Sequence, residues 1–324
     1  MPEAPTISIL TPVWNGLPYI KECVDSVLSQ NYQDWEMIIA DNASDDGTSE
    51  YLRSLTDPRI KVFRHEKNIG VYRNINFLFN KATSPIFMGL CADDYFYEGS
   101  LEKILSEWSE AGPEVGLITF NWMNRTQKHN KFDELSYELL PKVLGGIDSD
   151  FAFFLFGCFP GNFSEVSGRV ALVAPEHYSY DTRFSADYDF WMRICRKMPI
   201  RISTADATYI RRHDRVAATY IITKGEYHEE SFEVYRKIID HLSPNSDRQK
   251  LIKFYNITIA SFHLRSAIQS AFFGKFQALK SFMRLKSPIF WRFQFIRCLP
   301  FAMSEQLRFA VSRIVAREIW DSRK

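Results

Sequence analysis

The sequence has no long apolar run: nowhere do about 18 apolar residues follow one another without interruption, so no segment reads as a membrane-spanning helix. Its five cysteines, Cys23, Cys91, Cys158, Cys195 and Cys298, are scattered and never in a C-x-x-C spacing. That argues against a zinc site and a disulfide framework, and for free thiols in a reducing compartment. No G-x-G-x-x-G follows the first strand-like run, which disfavours a dinucleotide-dependent oxidoreductase, and the absence of G-x-x-x-x-G-K-[S/T] disfavours a P-loop NTPase. Internal repeats and low-complexity segments are missing, as is a basic-then-apolar leader near Thr6, so the expected location is the cytoplasm. Net charge is also lacking, at +1 for 40 Lys/Arg against 39 Asp/Glu. By itself that balance points to neither a nucleic acid nor a membrane.

What is present is a chain of 324 residues, 46% of them hydrophobic, enough to bury a sizeable core in one large domain with an appendage. The charge is unevenly spread. Residues 261–324 carry 12 Lys/Arg against 3 Asp/Glu, a local +9 that leaves −8 for the remainder. The first 120 residues alternate two periodicities. Short β-branched or aromatic runs at Ile7–Leu10, Met37–Ala40, Ile60–Phe63, Ile86–Leu90 and Val115–Phe120 predict strands. Ile20, Val24, Val27 and Leu28, then Ile75, Leu78 and Phe79, recur at helical spacing between them. Strands joined by helical crossovers imply an α/β sandwich with a largely parallel, buried sheet. Ligands of such sheets bind at the carboxyl ends of the strands. Beyond Asn121 the pattern is irregular, with a Gly/Pro-broken aromatic stretch at Phe151–Phe163 and a helix predicted over Tyr188–Lys197. After Gly225 it is helical throughout, with Pro244, Pro288 and Pro300 expected to separate successive helices.

Three strand ends bring polar groups to one edge: Thr11-Pro12-Val13-Trp14-Asn15, Asp41-Asn42-Ala43-Ser44-Asp45-Asp46-Gly47 and Cys91-Ala92-Asp93-Asp94. A planar ring and an amide near an acid suit a nucleobase. Adjacent carboxylates after an apolar strand suit a hard divalent cation, since they repel one another unless a cation or solvent offsets them. The competing reading is that these residues only terminate strands and cap helices, and for Ser44–Gly47 alone that is the stronger one.

The ordered segments S-I-L-T-P-V-W-N, I-I-A-D-N-A-S-D-D-G-T, N-I-G-V-Y-R-N and C-A-D-D, continuing to S-A-D-Y-D-F-W-M-R-I and R-R-H-D, resemble the family 2 glycosyltransferases, inverting enzymes of GT-A fold. The resemblance covers approximately residues 5–215. It implies a Rossmann-like, mostly parallel sheet flanked by helices as a catalytic domain over residues 1–225, followed by a basic, aromatic-rich helical extension over 226–324. It implies that Thr11, Pro12, Trp14, Asn15 and Asp41 hold the base and ribose of a nucleotide-sugar donor, with Arg73 near the diphosphate. Asp93 would bind Mg²⁺ or Mn²⁺, with Asp94 beside the sugar and His213 closing over the diphosphate or metal. Asp187 would be the catalytic base. Cys91 stands where the family carries the first Asp of Asp-x-Asp, Asn42 where it carries a second acid, and Ala186 where it carries Glu. Metal dependence is therefore an open question, and a degenerate, non-catalytic nucleotide-sugar-binding module is the alternative. Read without the family, Asp187 and Asp189 are ordinary first-turn acids, Trp191 is core packing, and Arg211-Arg212-His213 is a cationic patch suited either to a diphosphate or to the acidic body.

In the extension, Ile268, Phe272, Phe276, Leu279 and Met283 recur at helical spacing among lysines and arginines, and Pro288–Arg297 mixes aromatics with arginine. That pattern suits either an interfacial membrane helix or a bundle packed on the catalytic domain. No nucleic-acid motif accompanies it. The family's habits point to a glycan or lipid-linked glycan acceptor in bacterial cell-surface polysaccharide assembly, such as an O-antigen (lipopolysaccharide) or capsule intermediate. A membrane-binding extension would place the protein peripherally on the inner face of the cytoplasmic membrane.

Overall fold

The computed structural model describes residues 6–121, 139–179, 186–211, 226–272, 274, 276, 280 and 294–323. Four early strands appear where the apolar runs predict them: β1 (Ile7–Val13), β2 (Trp35–Asp41), β3 (Ile60–Arg64) and β4 (Ile86–Gly89). They are joined by α1 (Tyr19–Leu28), α2 (Thr48–Arg53) and α3 (Val71–Lys81). After β4 come β5 (Tyr95–Phe96), α4 (Ser100–Glu110), β6 (Leu117–Thr119), β7 (Val143–Leu144) and α5 (Gly146–Phe156). Then follow a 3₁₀ turn (Phe163–Glu165), β8 (Val166–Arg169), α6 (Val170–Val173), α7 (Ala186–Lys197), β9 (Ile200–Ile202) and β10 (Thr208–Tyr209).

Eight strands form one sheet in the order β3-β2-β1-β4-β8-β6-β9-β7, and β5 pairs with β10 separately. The β3-β2-β1-β4 half is wholly parallel, so β1, β2 and β4 deliver their carboxyl ends to the same edge. The other half is mixed, because β8 runs antiparallel to both β4 and β6. Strands β7 to β10 are too short and polar to announce themselves by period. Alternation along β1 and β2 divides the core between the two faces. Ile7, Ile9, Met37 and Ile39 face α1 and α4, and Leu10, Ile38 and Ala40 face α3, α5 and α7. Pro12 is tolerated in this central strand because β1 pairs with β4 only as far as Leu10 opposite Gly89, and its missing N–H falls on the side where that pairing has ended.

The first half of the Gly/Pro-broken aromatic stretch at 151–163 is helical. Phe151–Phe156 completes α5, where Phe151–Leu155 are buried on every side, as a helix covered on all faces must be. Its cover is the extension: α8 (Glu226–Leu242), α9 (Arg248–Tyr255), a π-helical segment (Asn256–Ala260), α10 (Ser261–Phe272), α11 (Gln294–Met303) and α12 (Glu305–Ser322). Phe154 meets Tyr235 and Phe254 with ring centroids 6.0 and 5.4 Å apart. Leu10 of the sheet and Trp320 of α12 belong to one continuous apolar core. Pro244 does separate α8 from α9. Pro300 does not separate helices: it lies within α11, and the break falls at Ser304, whose hydroxyl caps α12 by accepting the Leu307 N–H at 3.3 Å. The apolar stripe of the extension is likewise interrupted, since α10 ends at Phe272 and Gly274 turns with φ +76°. Leu279, Met283 and the segment 281–293 lie outside the described residues.

Candidate active site

The edge where β1, β2 and β4 end is assembled by side chains reaching between loops. Asn15 follows β1 with φ +51°, a conformation asparagine tolerates. Its backbone N–H donates to Ser44 Oγ at 2.9 Å, its side-chain amide donates to Asp45 Oδ1 at 2.9 Å, and the Asp45 N–H donates back to Asn15 Oδ1 at 3.0 Å. Gly16 and Leu17 donate to Thr48 Oγ1 and Asp46 Oδ2 at 2.9 and 3.1 Å. The loops after β1 and β2 are thus tied into one rim. Asp41, buried at the end of β2, accepts from the Ser44 N–H (3.0 Å), the Ser49 hydroxyl and Arg64 Nη1 (3.0 Å). One oxygen shapes the Ser44–Gly47 turn, and the other ties the strand end to Ser49 of α2 and Arg64 of β3. Asn42 extends the rim, donating to Asn68 Oδ1 at 3.0 Å and accepting from the Ile69 N–H at 2.8 Å. Trp14, by contrast, is 59% exposed, and the buried Thr11 hydroxyl has no hydrogen-bond partner. Arg73 stands exposed in the first turn of α3, a helix pinned to β2 by Asn74 Nδ2 donating to the Ala40 carbonyl at 2.7 Å.

After β4 the chain turns at Cys91–Asp94, with the Asp94 N–H donating to the Cys91 carbonyl at 3.0 Å. Cys91 is held by its N–H donating to Ser164 Oγ at 2.7 Å. Arg211 clamps the turn from the far side: its N–H donates to Asp94 Oδ1 and its Nε to the Asp93 carbonyl, each at 2.9 Å, while its Nη2 pairs with Glu22. The guanidinium lies 4.7 Å from the centroid of the Tyr19 ring. Of the two roles open to this arginine, the structure shows pairing with the acidic body; Arg212 and His213 lie outside the described residues. One ligand atom each from Cys91, Asp93 and Asp94 fall within 4.8 Å of one another; the two carboxylates suit a hard divalent cation, whereas the thiol is a poor ligand for one. Burial, with help from Asp93, pushes the Asp94 carboxyl up to about 7, and the same effects hold the Cys91 thiol protonated. A cation there would relieve that repulsion.

Asp187, in the first turn of α7, is brought to this neighbourhood by the fold. Its charge acts on Cys91 and on Tyr72 of α3. Burial raises its own carboxyl to about 6, and the Tyr178 hydroxyl beside it pulls the other way. Trp191, one turn further, is fully buried core, as its position on the helix predicts. Ser164, Arg211 in its clamping role, Glu22, Tyr72 and Tyr178 escape a reading by motif. Only the Ser164 turn had a local sign, an N-x-x-E pattern in which the Asn162 N–H donates to Glu165 Oε2 at 2.9 Å.

The family model described as Glycosyl transferase family 2 matches residues 8–165, the segment that builds this edge. The N-terminal half of the chain is thus similar to glycosyl transferase family 2. It is 26% identical over 264 residues to a putative colanic acid biosynthesis glycosyl transferase of Escherichia coli, WcaA, covering 79% of this chain and 90% of that one. It is 38% identical over 103 residues to a putative teichuronic acid biosynthesis glycosyltransferase of Bacillus subtilis, TuaG, covering 31% and 41%. An uncharacterized glycosyltransferase of Rickettsia bellii matches at 25% identity over 59% of this chain, and the match spans only 28% of that protein's length. Among solved structures, Staphylococcus aureus TarS 1–349 in complex with UDP gives a TM-score of 0.57 at 17% identity, covering 98% of this chain and 89% of that one. The mannosyltransferase PcManGT of Pyrobaculum calidifontis, in complex with GDP-Man and Mn²⁺, gives 0.58 at 15% identity, covering 98% and 87%. These likenesses establish the GT-A fold. The chain thus has relatives named for polysaccharide biosynthesis.

Proposed function

We propose that this chain is an inverting transferase that moves a sugar from a nucleoside-diphosphate sugar to an acceptor hydroxyl in the assembly of a cell-surface polysaccharide. The observation that carries the reading is Asp187: a carboxyl with a pKa of about 6, near the Cys91–Asp94 turn, is ionised at neutral pH yet basic enough to accept a proton. In the step proposed, the acceptor oxygen attacks the anomeric carbon from the face opposite the diphosphate. The carbon–oxygen bond to the diphosphate breaks, the nucleoside diphosphate leaves with that electron pair, and Asp187 takes the hydroxyl proton. The charge logic is that of a carboxylate base acting across an oxocarbenium-like transition state.

On the donor side, the exposed Trp14 ring offers a stacking surface for the base. Thr11 and Pro12 form the strand end beneath it, with Asn15 and Asp41 fixing the two loops that frame it. Arg73 is assigned to the diphosphate and Asp93, with Asp94 and Cys91 beside it, to Mg²⁺ or Mn²⁺. Such a cation, when bound, would neutralise charge on the leaving diphosphate. The nucleotide sugars held by TarS and PcManGT support this donor class, and the polysaccharide relatives support the acceptor class. A lipid-linked acceptor would suit the extension, whose Phe272 and Phe276 are 85% and 56% exposed beside a basic sequence.

The test is nucleotide release from UDP-glucose, UDP-N-acetylglucosamine and GDP-mannose, with and without Mn²⁺, by the wild type and by Asp187→Asn. Release by the wild type that the substitution abolishes, with donor affinity retained, is the expected result. Wild-type turnover by Asp187→Asn would remove this residue from the mechanism.

A further inference from the structure

Tyr178 lies between α6 and α7, in a segment that no motif distinguishes, and it is only 1% exposed. Its backbone is gripped by Asn76 of α3: the Tyr178 N–H donates to Asn76 Oδ1 at 2.9 Å, and Asn76 Nδ2 donates to the Tyr178 carbonyl at 3.4 Å. Its ring is held between two others. Tyr72, in the first turn of α3, stacks on it with centroids 5.1 Å apart and planes 19° apart, and Phe190 of α7 stacks at 4.0 Å and 14°. Phe190 follows Asp187 by three residues, so the two share a helix face one turn apart. A tyrosine ring lying on Phe190 therefore carries its hydroxyl alongside the Asp187 carboxyl. That hydroxyl is buried and makes no hydrogen bond of ordinary geometry to any group, Asp187 included, although it acts on the Asp187 carboxyl beside it. A buried hydroxyl is costly when left unused, and the carboxyl it faces is the group assigned as base.

We propose that Tyr178 is the positioning residue of this base: its hydroxyl donates to the Asp187 carboxylate and fixes the oxygen that receives the acceptor's proton. The inference rests on the reading of Asp187 given above. The arrangement also couples the two substrate sides, because Tyr178 is wedged between α3, which presents Arg73, and α7, which presents Asp187. Among the described residues, the other titratable groups coupled to this carboxyl are Tyr72 on α3 and Cys91 after β4, with Glu230 of α8 acting on Tyr72. The thiol and both hydroxyls stay protonated in their buried settings, so of these four groups Asp187 is the one whose charge changes near pH 6.

Tyr178→Phe keeps the ring between Tyr72 and Phe190 and deletes only the hydroxyl. With a donor that the wild type hydrolyses, water standing in for the acceptor, kcat should fall by roughly tenfold or more, the loss of one hydrogen bond to a charged group. The donor KM and the melting temperature should stay near wild type. The acid limb of kcat should move upward by about one pH unit, because a donated hydrogen bond favours the ionised carboxylate and its loss favours the protonated one. A second reading needs no substrate. In protein labelled with ¹³Cγ-aspartate, the resonance missing from Asp187→Asn identifies this carboxyl, and its titration midpoint should rise by a similar amount in Tyr178→Phe. An unmoved midpoint, or wild-type kcat and acid limb in Tyr178→Phe while Asp187→Asn is inactive, overturns the role of Tyr178 and leaves the base intact. Activity in Asp187→Asn overturns the base itself.

Discussion

Acidification is the perturbation that separates a catalytic Asp187 from a structural one. Burial penalises the charged carboxylate, so its pKa stands at about 6 instead of the ordinary 3.8. The base form is present above that value and is lost as pH falls through it. With a pKa of about 6, the carboxyl is about 90% ionised at pH 7 and about 10% at pH 5, so kcat should drop roughly tenfold across that interval. An unperturbed carboxyl would lose only about 6% over the same range. Nucleotide release at saturating donor, followed from pH 8 to 4.5, reads the difference directly. Asp94 needs separating, since its carboxyl is pushed up to about 7 and its protonation would weaken a bound cation. A limb due to Asp94 moves to lower pH as Mn²⁺ is raised, because the cation competes with the proton, whereas a limb due to Asp187 stays. An acid limb near pH 4 at saturating Mn²⁺ would refute the argument.

Three further expectations follow from packing. Gly89 ends β4 where an added Cβ would lie 2.1 Å from the Phe163 carbonyl oxygen, so Gly89→Ala should cost roughly 1–3 kcal/mol and weaken donor binding by moving the Cys91–Asp94 turn. A variant with unchanged melting temperature and donor affinity would show that this close approach is not required. Phe254→Ala, which opens a hole between α9 and α5, should cost about 3–5 kcal/mol in urea unfolding of the full chain. A separate, early transition of the C-terminal helices would contradict the shared core. Replacing Phe272 and Phe276 together by Glu should release the protein from phosphatidylglycerol vesicles in flotation, and binding equal to wild type would exclude these two rings from a membrane contact.

The shared core also changes how the extension can be studied. Removing everything after Gly225 would strip Tyr235, Phe254 and Trp320 from the apolar cluster that contains Leu10. Loss of activity in such a truncation would report unfolding, so point charges on the exposed rings are the cleaner probe.

The sequence by itself determined the elements and the edge on which the site is built. Period-two and period-3.6 patterns are local, and they located β1 to β4, α1 and α3 to within a few residues. Turn residues are local as well, so Trp14-Asn15, Asp41 and Cys91–Asp94 could be read as strand ends, and the family resemblance added Asp187. What only the tertiary structure decided depends on partners distant in the chain. Arg211, which the sequence leaves open between a diphosphate and the acidic body, is drawn into a clamp by Glu22, 189 residues away. Tyr178 is held by Asn76, 102 residues away, and the same packing that buries Asp187 raises its pKa. Burial and electrostatic environment are sums over neighbours that the fold alone brings together, which is why the family resemblance could point to Asp187 while the fold alone set its pKa.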